Sequence, residues 1–159
     1  MEIDLLLKYP KTKRDLSARS LEKTDEVKTV ARQFGKEFFD GDRKYGYGGF
    51  NYHPRFWTEA VQDIIKYYDL DNQSSILDVG CAKGFMLYDM SRLLPQADLR
   101  GIDVSRYAIK NCMKEVREFL AVGDAKDLSA FDNKSFDLVV SINTVHNLER
   151  EECAQALQE

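Results

Sequence analysis

Small residues and acids follow the apolar segments in the second half of the chain. Gly80, Ala82 and Gly84 stand within one short turn, directly after an apolar run. Such a turn lets the backbone approach a ligand closely, because little side chain stands in the way. Two acids, Asp103 and Asp124, follow the next two apolar runs. Parallel strands end at one edge of a sheet, where α/β proteins bind nucleotides, so this spacing predicts a nucleotide-type site.

Alternating strands and helices are the elements that must position these residues. The predicted strands are 75–80, 97–104, 119–122 and 136–142. Between them, residues 85–94 and a segment capped by Ser105 repeat apolar side chains at helical spacing, and Glu149 begins a further helix. This alternation predicts an α/β fold with a mostly parallel sheet and right-handed crossovers.

The first half of the chain has a helical pattern. Residues 24–40 place apolar side chains on one helical face, and a second helix begins at Pro54, a residue well suited to the first helical position. A glycine-rich loop joins the two. We expect a single domain with three segments: a basic N-terminal arm at 1–22, a helical cap or lid at 23–73, and a ligand-binding half at 74–159. The arm is expected to be solvated or, alternatively, to dock an acidic partner.

The glycine turn is similar to the signature of a known family. The segment Asp78-Val79-Gly80-Cys81-Ala82-Lys83-Gly84 resembles the first-strand motif of class I S-adenosylmethionine-dependent methyltransferases, an acid followed by Gly-x-Gly-x-Gly. Ala82 replaces the middle glycine, which is a mild departure. The resemblance implies a Rossmann-like three-layer sandwich and S-adenosyl-L-methionine as cofactor. The alternative, a dinucleotide enzyme, would need a small residue where Phe85 stands.

The resemblance implies a set of cofactor contacts at the strand ends. The turn around Gly80 would face the methionine portion, Asp103 would hold the ribose, and Asp124 would face the adenine. The turn after the fourth strand would lie beside the transferable methyl group. Asp124 could instead be a plain turn residue. The expected cofactor-binding residues are Asp78, Gly80, Cys81, Ala82, Gly84, Asp103, Val104, Gly123, Asp124, Ala125 and Asn143.

Candidate residues for acceptor chemistry also follow the fourth strand. His146 is the candidate general base for a hydroxyl acceptor, although it could instead pack against or cap the next helix. Asn143 and Asn147 are expected to orient the acceptor or to hydrogen-bond the turn. His53 precedes a helix and is expected to be a local cap. No two cysteines have metal-ligand spacing, so no metal site is expected.

Aromatic residues are concentrated in the glycine-rich loop. Tyr45, Tyr47, Phe50 and Tyr52 lie where packing alone would not require them. We expect a lid that closes over the cofactor, with aromatic faces near the sulfonium. The alternative is that these side chains fold back onto the domain surface.

Charge and cysteine content limit the partners. The formal net charge is −4 and the pI is about 5.3, which disfavours a nucleic-acid acceptor. No stretch of the sequence is apolar enough to predict a membrane span. The three cysteines are expected to be reduced thiols, as in a cytoplasmic protein.

The number of predicted strands is smaller than the resemblance implies. The family has a seven-stranded sheet, whereas this sequence supplies four strands, so we expect a truncated form without the C-terminal strands. The bare edge of the fourth strand is then expected to form a homo-oligomer. The leading hypothesis is an enzyme that methylates a small-molecule acceptor at oxygen or nitrogen. The alternative is a non-catalytic methyltransferase-like module for binding or assembly.

Overall fold

Four parallel strands form the centre of the computed structural model, which describes residues 3–10, 24–46 and 50–159. The strands are β1 (Ser75–Val79), β2 (Asp98–Asp103), β3 (Leu120–Val122) and β4 (Leu138–Val140). They lie in the order β3-β2-β1-β4, and every pairing is parallel. The predicted α/β class with a parallel sheet is confirmed. The strand order reverses beside β1, which is where such sheets bind ligands.

Helices flank this sheet and contribute to its core. They are α1 (Asp25–Ala31), α2 (Lys36–Asp40), α3 (Pro54–Tyr68), α4 (Phe85–Leu93), α5 (Arg106–Lys110) and α6 (Arg150–Ala156), with 3₁₀ turns at Lys114–Phe119 and Val145–Asn147. Successive side chains of a strand point to opposite faces. Ile76 therefore joins the main cluster with residues of α3 and α4. Leu77 faces the other way, into a smaller cluster that Phe131 and Phe136 cover.

The helix predicted over 24–40 is two helices, because the chain breaks at Phe34 and Gly35. Phe34 has a φ of +46°, a left-handed conformation that ends a right-handed helix. Gly35 then starts α2 from an extended conformation. The Phe34 carbonyl accepts a hydrogen bond of 2.5 Å from Ser105 Oγ. This tertiary contact between the cap and the loop after β2 replaces the continuous helix of the sequence pattern.

Two other predicted elements are shorter in the structure. The helix capped by Ser105 stops after α5, and a 3₁₀ turn instead of a helix buries Val116. The fourth strand was predicted over 136–142 but spans only Leu138–Val140, and Asp137 lies just before it. Its carboxylate accepts hydrogen bonds of 2.8 and 2.9 Å from the backbone N–H and hydroxyl of Ser75. Side-chain capping at the start of β1 thus sets where β4 begins.

Helix α3 connects the cap to the sheet. His53 Nδ1 accepts a hydrogen bond of 3.2 Å from the Arg55 N–H, so His53 is the local cap that its position predicts. The helix buries one apolar face against α4, and the buried residues are Ala60, Val61 and Ile64. Packing of this face against α4 holds the cap next to the carboxyl end of β1.

Residues 3–10 of the N-terminal segment fold against α3. Leu5 packs against the main core. Lys8 Nζ lies 2.9 Å from Asp63 Oδ1, and the Tyr9 ring meets the Trp57 ring edge to face with centroids 5.1 Å apart. The rest of the predicted arm, residues 1–2 and 11–22, lies outside the described residues. The described part of the segment therefore adds an aromatic residue to the cap.

Candidate cofactor site

The turn after β1 alternates between ordinary and left-handed backbone conformations. Gly80, Ala82 and Gly84 have φ values of +87°, +51° and +76°. The N–H groups of Gly80 and Cys81 donate to the carbonyl of Ile102, at 2.8 and 2.9 Å, which ties the turn to the end of β2. Left-handed residues cost about 1–2 kcal/mol each when they are not glycine, so Ala82 is the one strained position of the three.

Two of these glycines also have no room for a side chain. A Cβ on Gly80 would lie 1.9 Å from Thr144 Oγ1, in the loop after β4. A Cβ on Gly84 would lie 2.8 Å from Leu120 of β3. The turn is thus packed closely against β2, β3 and the loop after β4. Sequence reasoning did not identify Thr144, since only the packing reveals it.

Asp103 ends β2 and is fixed beside the turn. Its Oδ2 accepts a hydrogen bond of 2.8 Å from the Ala82 N–H, and its Oδ1 accepts one of 2.8 Å from the Ser105 N–H. Burial raises the pKa of the carboxyl, and the two backbone hydrogen bonds act against that rise. Each carboxylate oxygen keeps a second lone pair, so a pair of hydroxyl groups could donate to it.

Asp78 lies inside β1 with 5% of its surface exposed. Burial, and after it the negative charge of Asp103, raises the pKa of the Asp78 carboxyl to about 7. The raised pKa means that the protein stabilises the Asp78 carboxylate poorly. A cation placed beside this carboxylate would stabilise its ionised form and so bind favourably. The first acid of the signature is therefore matched to a positively charged ligand group.

A cavity of about 50 Å³ lies between the glycine turn and the cap. Its residues come from β1 and the turn, from α4, from the loop after β4 and from the cap. They are Asp78, Gly80, Cys81, Ala82, Phe85, Met86, Ile142, Asn143, Tyr9, Phe50 and Trp57. The structure thus brings five of the predicted cofactor residues together. The sequence has no signal that places Tyr9 at this cavity. Trp57 lies on the apolar face of a helix, so its sequence position indicates a core residue rather than a cavity residue.

The predicted adenine end lies past β3. Gly123 donates from its N–H to the Asp103 carbonyl at 3.1 Å. Asp124 Oδ1 accepts from the Lys126 N–H at 3.0 Å, so its side chain shapes the turn that follows β3. Ala125 packs against the second cluster, and Val104 is 53% exposed. Asp124 has a turn role here, and its contact with adenine stays a prediction.

The predicted acceptor residues occupy a 3₁₀ turn after β4. Asn147 Nδ2 donates to the Asn143 carbonyl at 3.1 Å, which is the turn hydrogen bond that was one of its two expected roles. Asn143 has a φ of +58° and lines the cavity. His146 is exposed in the same turn. Its role as a base stays a prediction.

The loop residues predicted to form a lid point in different directions. Phe50 lines the cavity, and Tyr47 lies outside the described residues. Tyr52 donates a hydrogen bond of 2.8 Å to the buried Asp89 of α4. Tyr45 is half-buried, with Lys44 Nζ 5.0 Å from its ring centroid. Tyr52 therefore anchors the cap, and Phe50 is the loop residue that faces the candidate site.

Lys83, within the glycine turn, binds the cap directly. Its Nζ lies 2.6 Å from Asp40 Oδ1 and donates to the Phe50 carbonyl at 3.1 Å. Tyr107 donates to the other oxygen of Asp40 at 2.7 Å. Burial acts to raise the pKa of Asp40, but the hydrogen bonds from Lys83 and Tyr107 outweigh it and lower that pKa. A nearly buried ion pair thus fixes the cap over the turn.

Replacing Lys83 with Met should lower the free energy of unfolding by about 2 kcal/mol, because it removes a charged hydrogen bond from the partly buried Asp40 carboxylate. The measurement is urea denaturation at neutral pH. The matched control is Lys8→Met, which breaks an exposed ion pair with Asp63 and should cost less than about 1 kcal/mol. Equal losses in the two variants would contradict the role assigned to the buried pair.

The stability of the ligand-free protein should depend on pH through Asp78. Its folded-state pKa lies above the unfolded value, so its contribution is fully present below about pH 4 and is lost as the pH rises through about 7. A shift of this size amounts to about 4 kcal/mol. The check is the unfolding free energy of wild type and Asp78→Asn from pH 4 to 8. The variant should gain stability relative to wild type as the pH rises, whereas parallel curves would contradict this.

The described residues contain neither a membrane-spanning helix nor a cluster of metal-binding side chains. Across 3–10, 24–46 and 50–159, no helix is both long enough and apolar enough to cross a membrane. Within those same ranges, no group of three or more His, Cys, Asp or Glu side chains is arranged to hold a metal ion.

Solved structures with the same arrangement show what fold this is. SAM-bound CalS10, an amino pentose methyltransferase from Micromonospora echinaspora, matches with a TM-score of 0.52 and 22% identity, over 64% of this chain and 43% of that one. The PH0226 protein from Pyrococcus horikoshii OT3 matches with a TM-score of 0.53 and 23% identity, over 86% of this chain and 59% of that one. At these identities the likeness shows the fold alone, which is the Rossmann-like α/β fold.

Sequence comparison identifies the family. The phthiotriol/phenolphthiotriol dimycocerosates methyltransferase of Mycobacterium leprae is 39% identical over 75 residues, which is 45% of this chain and 27% of that protein. The chain thus aligns with about a quarter of the length of this curated relative. The family model described as "Methyltransferase domain" matches residues 76–159, which are 84 of the 159 residues. Since that match covers more than half of the chain, the protein belongs to the methyltransferase domain family.

Proposed function

We propose that this chain binds S-adenosylmethionine at the glycine turn and transfers its methyl group to a small-molecule acceptor. The family uses S-adenosylmethionine, which supplies an electrophilic methyl group on a sulfonium. The observation that supports binding most strongly is Asp103, because backbone N–H groups from the turn and from the loop after β2 hold both of its oxygens in place.

The residues present fit such a cofactor. Gly80 lines the cavity without a side chain, and Asp103 offers two lone pairs to the ribose hydroxyls. Asp78 offers a buried carboxylate to the charged methionine end. Asp124 and Ala125 are proposed to lie beside the adenine. These groups would bind and orient the cofactor, and the cap would exclude water from it.

His146 is proposed to accept the proton of a hydroxyl or amine acceptor. It lies in the turn that directly follows the cavity-lining Asn143. With that role, His146→Ala would lower kcat at least about tenfold, since general bases contribute factors of 10² to 10⁴. The affinity for S-adenosylmethionine would not change. A variant with full kcat would leave His146 as a turn residue.

The acceptor is proposed to be a small metabolite methylated at oxygen or nitrogen. The test incubates the full chain with S-adenosylmethionine and a panel of hydroxyl and amine compounds, and mass spectrometry follows methylated product and S-adenosylhomocysteine. Product that disappears in Asp103→Ala would support the proposal. Cofactor binding without any product would instead favour the second candidate, a non-catalytic module.

The exposed edge of the sheet favours the second candidate function, a non-catalytic module for binding or assembly. β4 is the last strand in the order, and Val139 within it is 54% exposed. An exposed apolar strand edge invites pairing with another chain, so a homo-oligomer through β4 stays a proposal. Light scattering at micromolar concentration is the test, and a monomer would contradict it.

The cysteines Cys81, Cys112 and Cys153 are free, which supports the proposed cytoplasmic location.

A further inference from the structure

Three aromatic side chains, here called the wall, line the same cavity as the signature acid. Tyr9, Phe50 and Trp57 line it from the cap, and Asp78 lines it from β1. Among the described residues that line this cavity there is no Lys or Arg. A carboxylate and aromatic faces without a basic side chain are the chemistry that recognises a cation with apolar substituents. A phosphate or a carboxylate would find no partner of opposite charge there.

Contacts with neighbouring residues hold the members of the wall in place. Lys83 in the glycine turn donates to the Phe50 carbonyl at 3.1 Å, so Phe50 stays beside the turn. The Phe50 ring also packs against Phe85 of α4, with centroids 4.7 Å apart. Tyr9 packs against Trp57 at 5.1 Å, and Trp57 belongs to α3, which is fixed against α4. The faces are therefore set before a ligand arrives.

We infer that the wall of Tyr9, Phe50 and Trp57 recognises the positive sulfonium of the cofactor and so distinguishes S-adenosylmethionine from its neutral thioether product. The inference rests on the proposed function, since it concerns the same site. The two molecules share the adenosine and the amino-acid portion and differ by the methyl group and the charge that it brings. A contact that requires the charge therefore favours the substrate form and promotes release of S-adenosylhomocysteine.

The test is the ratio of the two dissociation constants, measured by titration calorimetry. Wild type should bind S-adenosylmethionine more tightly than S-adenosylhomocysteine. Trp57→Leu should raise the dissociation constant for S-adenosylmethionine about tenfold, in line with a desolvated cation–π contact. It should change that for S-adenosylhomocysteine less than about twofold, because the neutral sulfur gains little from the aromatic faces.

Two variants separate recognition from folding. Trp57→Phe keeps an aromatic face and should retain most of the preference. Tyr9→Leu changes a residue of the N-terminal segment and should reduce the preference even if Trp57→Leu unfolds. The matched control is Tyr67→Leu, at the exposed end of α3, which should leave both affinities unchanged.

Different results would contradict the charge recognition by the wall and the proposed function. If Trp57→Leu and Tyr9→Leu weaken both ligands by the same factor, or weaken neither, the charge recognition is wrong and the proposed function stands. If wild type binds neither ligand, both the proposed function and the inference built on it fail.

Discussion

Gly80→Ala should abolish cofactor binding. The new Cβ would lie 1.9 Å from Thr144 Oγ1 and 2.5 Å from Thr144 Cγ2, so the turn or the loop after β4 must move. The residue would also keep a φ of +87°, which alanine rarely adopts. We expect at least about a hundredfold loss of affinity and a loss of stability of about 2 kcal/mol, from strain and overpacking together. Calorimetry and urea denaturation measure the two.

The structure offers matched controls for this change. Gly35→Ala adds the same methyl group where the nearest atom, Glu37 Oε2, is 3.8 Å away, so affinity and stability should hardly change. Gly80→Ala combined with Thr144→Ala removes the contacts with Oγ1 and Cγ2 but keeps the Thr144 Cβ at 2.7 Å and the backbone strain, so it should restore stability only in part. Full affinity in Gly80→Ala alone would show that the turn does not approach the ligand as closely as we propose.

Asp103→Ala should weaken S-adenosylmethionine binding about a hundredfold. The change removes the acceptor for two ribose hydroxyls, and hydrogen bonds to a charged group are worth about 1.5–3 kcal/mol each. It also releases the N–H groups of Ala82 and Ser105, which the carboxylate holds at 2.8 Å. The glycine turn should therefore become more mobile, and the site beside it should lose a charged acceptor. Calorimetry on folded protein, checked by thermal melting, is the measurement.

A surface acid on the same strand is the control for Asp103. Asp98 begins β2 at the opposite end and pairs with Arg100 on the surface, with both side chains at least half exposed. Asp98→Ala should leave the affinity within about twofold, because exposed ion pairs contribute little. Equal effects of the two substitutions would mean that the carboxyl end of β2 does not bind the cofactor.

The sheet and its glycine turn could be predicted because the sequence encodes them locally. The apolar run of β4 is unbroken and that of β1 is interrupted only by Asp78, as expected for strands in a parallel sheet. The positive φ values at Gly80 and Gly84 follow from residue type. Asp103 follows the turn at a spacing that fixes it at the tip of β2. Each of these features is set by neighbours in the sequence.

The cap could not be predicted in the same way, because distant residues determine it. The break at Phe34 depends on Ser105, 71 residues away. The hydrogen bond from Tyr52 to Asp89 joins residues 37 positions apart, and no local sequence pattern indicates it. The approach of Tyr9 to Trp57 depends on how residues 3–10 fold across α3. These contacts involve single side chains rather than a periodic pattern, so the sequence alone leaves their partners open.

Titration calorimetry of the wild-type chain with S-adenosylmethionine tests the central proposal most directly. We expect saturable binding with a micromolar dissociation constant, one site per chain, and competition by S-adenosylhomocysteine. No binding of either molecule at millimolar concentration, to protein shown to be folded by thermal melting, would contradict the assignment of the glycine turn and Asp103 as a cofactor site.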